Sequence, residues 1–196
     1  MASYTAAAVA AIHPTQITVP MTRVDERRAQ IRAARARSVE DFLTWYRMRA
    51  VLGPGARLFL VDPHAVARAL IDEGVEHCYV TVELDLSHMR LESFWIAMER
   101  HGWAQPYDAQ GRRRSFSAIP EDFRQLQDDP YRSLACWLQE ARAFDSAATR
   151  SELLWANFLR GRIPRAMMRT DPAELRRLAL EHADSPDARS LPGWKG

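Results

Sequence analysis

The chain has 196 residues, 47% hydrophobic and 27% charged, enough for a sizeable core and ordinary for a soluble globular protein. A formal net charge of +2 is too balanced to announce nucleic acid by itself, and Lys195 is the only lysine among 27 basic residues, so no lysine in the folded region can serve as Schiff-base former, catalytic base or P-loop-type phosphate ligand. The two cysteines, Cys78 and Cys136, sit in apolar segments and make neither a disulfide framework nor a zinc cluster.

In chain order, residues 1–11 are alanine-rich and aperiodic and read as a flexible N-terminus. They lack the basic start and long apolar run of a secretory signal. No apolar run is long enough to span a membrane, so a cytoplasmic protein without membrane contact is expected. Ile17–Val19, flanked by Pro14 and Pro20, reads as an edge strand or extended arm. A helix follows over residues 23–37 with Val24, Ile31 and Ala34 as its apolar stripe. Ser38 with Asp41 makes a capping-box-like start for a second helix carrying Phe42, Leu43 and Tyr46. Between Arg23 and Arg49 eight arginines face four acids. That excess suits a phosphate backbone or, more commonly, a solvated face.

Ala50–Leu52, the turn Gly53-Pro54-Gly55 and Leu58–Val61 read as two strands. In the following Asp62-Pro63-His64, Asp62 is the expected helix N-cap and Pro63 the first helical residue. Val66, Ala67, Leu70 and Ile71 continue at helical spacing to Gly74, and Cys78–Val82 begins another strand. A helix N-terminus after a strand favours an anion, which makes Asp62 and His64 candidates, although capping alone accounts for Asp62.

Beyond Asp85 the pattern is mainly helical. Ser87 is the expected start of a helix bearing Leu91, Phe94, Trp95 and Met98. The loop from Gly102 to Gly111 contains Asp108, and Pro120 starts a short helix. Asp129-Pro130 opens a helix with Leu134, Trp137, Leu138 and Ala141. Thr149 with Glu152 caps another, and Asp171-Pro172 opens the last, to about His182. Residues 185–196 lack periodicity and read as a disordered tail.

Among polar clusters, Asp128-Asp129-Pro130-Tyr131-Arg132-Ser133 is the most distinctive. Arg132 there either pairs with Asp128 or Asp129 or reaches a phosphate as a bidentate donor. Carboxylates at element ends, above all Asp62 and Asp128, are candidate Mg2+ ligands. The chain has no G-x-S-x-G, Walker A, H-E-x-x-H or C-x-x-C motif.

The series His13-Pro14-Thr15-Gln16, LFLVDPHAVARAL at 58–70, Asp85-Leu86-Ser87, Phe94-Trp95, Gly102-Trp103, Pro106-Tyr107-Asp108, DDPYRSLA at 128–135 and ELLWANFLR at 152–160 resembles the ParB-like nuclease family, an outlying branch of the ParB/sulfiredoxin superfamily. The resemblance runs from about residue 12 to residue 163. It implies an α/β (α+β) fold: a small ParB/sulfiredoxin-like mixed sheet with helices, followed by a mainly helical C-terminal part. The expected organisation is a core over 12–86, a helical extension over 87–163 and a C-terminal helix over 164–184. It also implies a ligand corner at Asp62-Pro63-His64-Ala65, with a nucleotide (ATP, CTP or ADP) or DNA as ligand and Mg2+ as metal.

On that basis His64, Asp62, Asp128 and Asp129 are the candidate catalytic groups of a Mg2+-assisted nuclease or nucleotide phosphohydrolase. His13, Gln16, Arg68, Arg132 and Ser133 are the candidate phosphate or substrate contacts. Two positions depart from the family pattern: Ala65 stands where a histidine is expected, and the glycines and lysine expected after DDPYRSLA are missing. These departures keep open the alternative of a catalytically degenerate adaptor that holds DNA or a protein partner through its arginine-rich helices or an aromatic surface.

Overall fold

The computed structural model describes residues 4–145, 151–169 and 171–195. Two compact units are present, Met1–Asp128 and Asp129–Gly196, and the division falls inside the DDPYRS cluster.

The first unit is built on a five-stranded mixed sheet in the order β1-β6-β4-β5-β2. Its strands are β1 (Thr5–Ala8), β2 (Ile12–His13), β4 (Met48–Gly53), β5 (Arg57–Asp62) and β6 (His77–Asp85). β1 runs antiparallel to β6, β4 antiparallel to β5 and parallel to β6, and β2 parallel to β5. The N-terminal segment expected to be loose is therefore an edge strand over residues 5–8, and Val9 behind it is buried. A side chain at Val9 and backbone pairing to residues 77–80 supply an anchor that local periodicity does not reveal. The short β3 (Thr18–Val19) pairs in parallel with β7 (Gln127–Asp128).

Three helices pack around one face of the sheet: α1 (Met21–Arg35), α2 (Val39–Trp45) and α3 (His64–Asp72). Val24, Ile31, Leu43, Met48, Leu60, Val66, Leu70 and Val80 form the core there, as the 3.6-residue spacing in α1 and α3 requires. Ser38 caps α2 by accepting from the Asp41 N–H. On another core, α4 (Leu91–Arg100) packs Phe94 and Met98 on Val51 and Phe59. Gly53 is confined to glycine by this packing, since a Cβ would lie 2.6 Å from the Phe59 ring and 2.8 Å from Phe94.

Three predicted starts are displaced. α3 begins at His64, with Pro63 in the cap position and no side-chain cap bond. Asp62 is instead the last residue of β5, in register with Arg49, and sheet pairing has claimed it. α4 begins at Leu91, because Ser87 is held in a turn by its N–H donating to Asp85. Pro120 lies between two single 3-10 turns, at 116–118 and 123–125.

The second unit holds α5 (Pro130–Glu140), α6 (Ser151–Arg160) and α7 (Pro172–Asp184) around Leu134, Leu138, Trp155, Leu159 and Ala179. Asp129 caps α5 and Asp171 caps α7, each accepting from the N–H two residues on. Thr149 lies outside the described residues. The C-terminal stretch is packed, in contrast to the expected disorder. Trp155 Nε1 donates to Pro192 O, Trp194 Nε1 donates to Ala183 O, and Phe144 bridges to Trp194. The tail's order comes from two indole N–H groups finding carbonyls, not from a repeat of its own.

Candidate functional site

At the β5–α3 corner the His64 side chain is buried, 5% exposed. It does not face solvent. The backbone N–H of Thr15, itself fully buried, donates to His64 Nε2 at 3.0 Å. Because a backbone N–H can only donate, Nε2 is the acceptor and the proton of the neutral ring sits on Nδ1. The Thr15 hydroxyl lies 3.1 Å from the same nitrogen, 2.6 Å from Leu60 O and 2.8 Å from Trp103 O. The Phe123 ring closes in at 6.0 Å. Gln16, 5% exposed, continues this seam by bridging to Gln105. The His-Pro-Thr-Gln segment thus does meet the corner, but it meets it as a plug. Chemically, Nε2 of His64 is unavailable as a base while Thr15 donates to it.

Other candidates in the first unit are likewise engaged. Arg68 donates through Nε to both oxygens of Asp72 at 3.0 Å and through an Nη to Phe123 O and Leu126 O. It straps the 123–126 segment to α3. Asp128, on β7, accepts from the Met21 N–H at 3.2 Å and so supplies from a distance the cap that Pro20 cannot give α1. Asp108 is buried and accepts from the N–H groups of Gln110 and Arg112 and from the Arg112 guanidinium. Among the described residues no group of three or more His, Cys, Asp or Glu is placed to hold an ion.

Asp62 and Asp128 are exposed, and His13, half-buried, opens onto a cleft. It lines a cleft of about 250 Å3 with Ile12, Ile71, Glu121, Phe123 and Arg124. Its ring packs 5.4 Å from Phe59. Burial, then the Arg57 charge, pushes its pKa below 6.5, with Glu121 opposing, so the imidazole is neutral near pH 7. Glu121 and Arg124 sit in a segment that the sequence marks only by Pro120, and no spacing there signals a site.

In the second unit Asp129 is 1% exposed and is held by an ion pair with Arg160 besides its capping bond. Burial pushes the Asp129 carboxyl up, against the pull of Arg160. Arg132 is 6% exposed and feels the charges of Glu152 and Asp129. Its Nε donates to Glu152 at 2.6 Å. Ser133 stands on the first turn of α5, its N–H bonded to Asp129 O. The cluster is a helix-start brace: Asp129–Arg160 and Arg132–Glu152 tie α5 to α6.

Two comparisons with known proteins give matches. A family model described as "Putative ParB-like nuclease" matches residues 5–161. The crystal structure of protein Atu1540 from Agrobacterium tumefaciens is similar at 36% sequence identity and a TM-score of 0.91, over 99% of this chain and 98% of that one. No curated protein matches the chain.

Proposed function

The chain belongs to the ParB-like nuclease family, and from that membership we propose that it is a nucleic-acid-binding domain that does not cleave at the β5–α3 corner. One observation carries the reading: the corner histidine is buried with its Nε2 accepting from Thr15. A general base must reach the proton it removes, and His64 is turned into the protein. Of the other groups proposed for catalysis, Asp128 and Asp129 cap helices and Asp62 is the last residue of β5, in register with Arg49. Support for nucleic acid comes from α1, where Arg28 and Arg32 both bond the Glu73 carboxylate and Arg35 bonds its carbonyl. Glu73 gathers three guanidiniums around itself, and the positive excess that remains on this helix suits a phosphate backbone. Among the described residues no helix is long and apolar enough to cross a membrane.

The test compares the wild type with His64→Ala for turnover of DNA, RNA, ATP and CTP with Mg2+ present, and measures oligonucleotide binding across salt. Binding that weakens steeply with salt, without turnover, is the expected result. Turnover by the wild type that disappears in His64→Ala overturns it.

The His13 cleft favours a second reading, a nucleotide phosphohydrolase. A neutral imidazole facing Glu121 and Arg124 in a concave site has the makings of a general base with a nearby cation. ATP or CTP turnover abolished by His13→Ala and unaffected by His64→Ala would establish that reading in place of the first.

A further inference from the structure

Trp45, the last residue of α2, is 82% exposed, an unusual position for the largest apolar side chain. It lines a surface groove of about 400 Å3 with Asp41, Thr44 and Arg47. The residues that follow it, Tyr46 and Arg47, each take part in a cation–π contact. The Arg27 guanidinium lies 4.7 Å from the centre of the Tyr46 ring, and Arg47 lies 5.1 Å from that of Tyr4, which is itself 42% exposed. Tyr46 is steadied on Phe42 at 4.7 Å, and Tyr4 edge-on to Tyr79 at 5.1 Å. Of the two acids on α2, Glu40 is occupied by His77 and by the Tyr79 hydroxyl, while Asp41 lines the groove itself alongside Arg47.

We propose that Trp45, with Arg47 in the same groove and the Tyr4 ring against Arg47, is a stacking platform for single-stranded nucleic acid. The proposal rests on the nucleic-acid reading above and narrows its ligand. An indole exposed on its face gains most from a flat π surface, and an unpaired base supplies one. Bases inside a duplex are already stacked on each other, so the platform selects the single strand. Arg47 lines the groove within a stretch, residues 23–49, that carries eight arginines against four acids, and that excess is the positive charge a phosphate chain needs and an apolar protein partner does not.

Binding of a fluorescently labelled single-stranded oligonucleotide is measured by anisotropy for the wild type, Trp45→Ala, Trp45→Phe and Arg47→Gln, alongside a duplex of the same sequence. Trp45 is a surface residue, so these variants keep the fold, checked by circular dichroism. Trp45→Ala should weaken single-strand binding about tenfold, Trp45→Phe should retain most of it, and Arg47→Gln should flatten the logarithmic salt dependence by about 0.7. Intrinsic fluorescence should fall on titration of the wild type and much less in Trp45→Phe. If Trp45→Ala binds the strand as the wild type does, or if it abolishes self-association instead, the platform is refuted while nucleic-acid binding stands. If the wild type binds neither strand nor duplex, the platform and the nucleic-acid reading fall together.

Discussion

The backbone N–H of Thr15 donates to His64 Nε2 at 3.0 Å, joining two buried residues that lie 49 positions apart. The bond makes His64 a structural acceptor. His64→Ala leaves the Thr15 N–H buried without its partner and should cost about 1–3 kcal/mol, read as a lowered urea midpoint. His64→Gln, which can present a carbonyl oxygen, should recover part of the loss.

Asp129 and Arg160 make the corresponding pair in the second unit, with Asp129 1% exposed. Arg160→Met strands a carboxylate whose pKa burial already raises. The loss should be about 3 kcal/mol or more, by analogy with other broken buried pairs. Adding Asp129→Asn, which keeps an acceptor for the Tyr131 N–H, should restore stability relative to Arg160→Met alone. Thermal melts of the two variants check this.

Glu73 gives a pH dependence of defined sign. Hydrogen bonds from Arg32 and Arg28 lower its pKa from 4.5 to about 2. The folded form therefore holds its proton less tightly than the unfolded chain. The stabilisation is fully present above pH 4.5 and is lost as pH falls toward 2. Urea midpoints of the wild type and Glu73→Gln should differ at pH 6, and the gap should narrow between pH 4.5 and pH 2.5.

Asp128 should behave as a helix cap and not as a metal ligand. Asp128→Ala removes the acceptor of the Met21 N–H and should cost about 1 kcal/mol. Asp128→Asn should cost much less, and adding Mg2+ should not shift the wild-type midpoint. A Mg2+-dependent rise in melting temperature that Asp128→Asn abolishes would return Asp128 to the metal-ligand role.

Helix and strand placement was legible wherever the code is local. Ser38, Asp129 and Asp171 cap the helices that their spacing announces, and the apolar periodicity of α1 and α3 matches the buried residues Val24, Ile31, Val66 and Leu70. The local code failed where tertiary partners outbid it. Asp62 looks like an N-cap but is kept in the β5 ladder opposite Arg49. Residues 5–8 and 185–195 look loose, yet pairing with β6 and the indole bonds of Trp155 and Trp194 order them.

The candidate site was legible in part. The resemblance picked out His13, Gln16 and His64, and the structure brings the His-Pro-Thr-Gln segment to the β5–α3 corner. What each residue does there was not legible. Spacing pointed Arg132 toward Asp128, Asp129 or a phosphate, and it gave no sign of Glu152, 20 residues away, to which Arg132 Nε donates.

The sequence by itself determined the family, the mixed α/β architecture and most helix starts, because caps and periodicity act within four or five residues. Only the tertiary structure decided the state of the Asp62-Pro63-His64 corner. The strand order places Thr15 against His64 and Asp128 against Met21, 107 residues apart. Whether a histidine is a base or a buried acceptor depends on such a distant donor, and nothing in the local spacing of one chain specifies it.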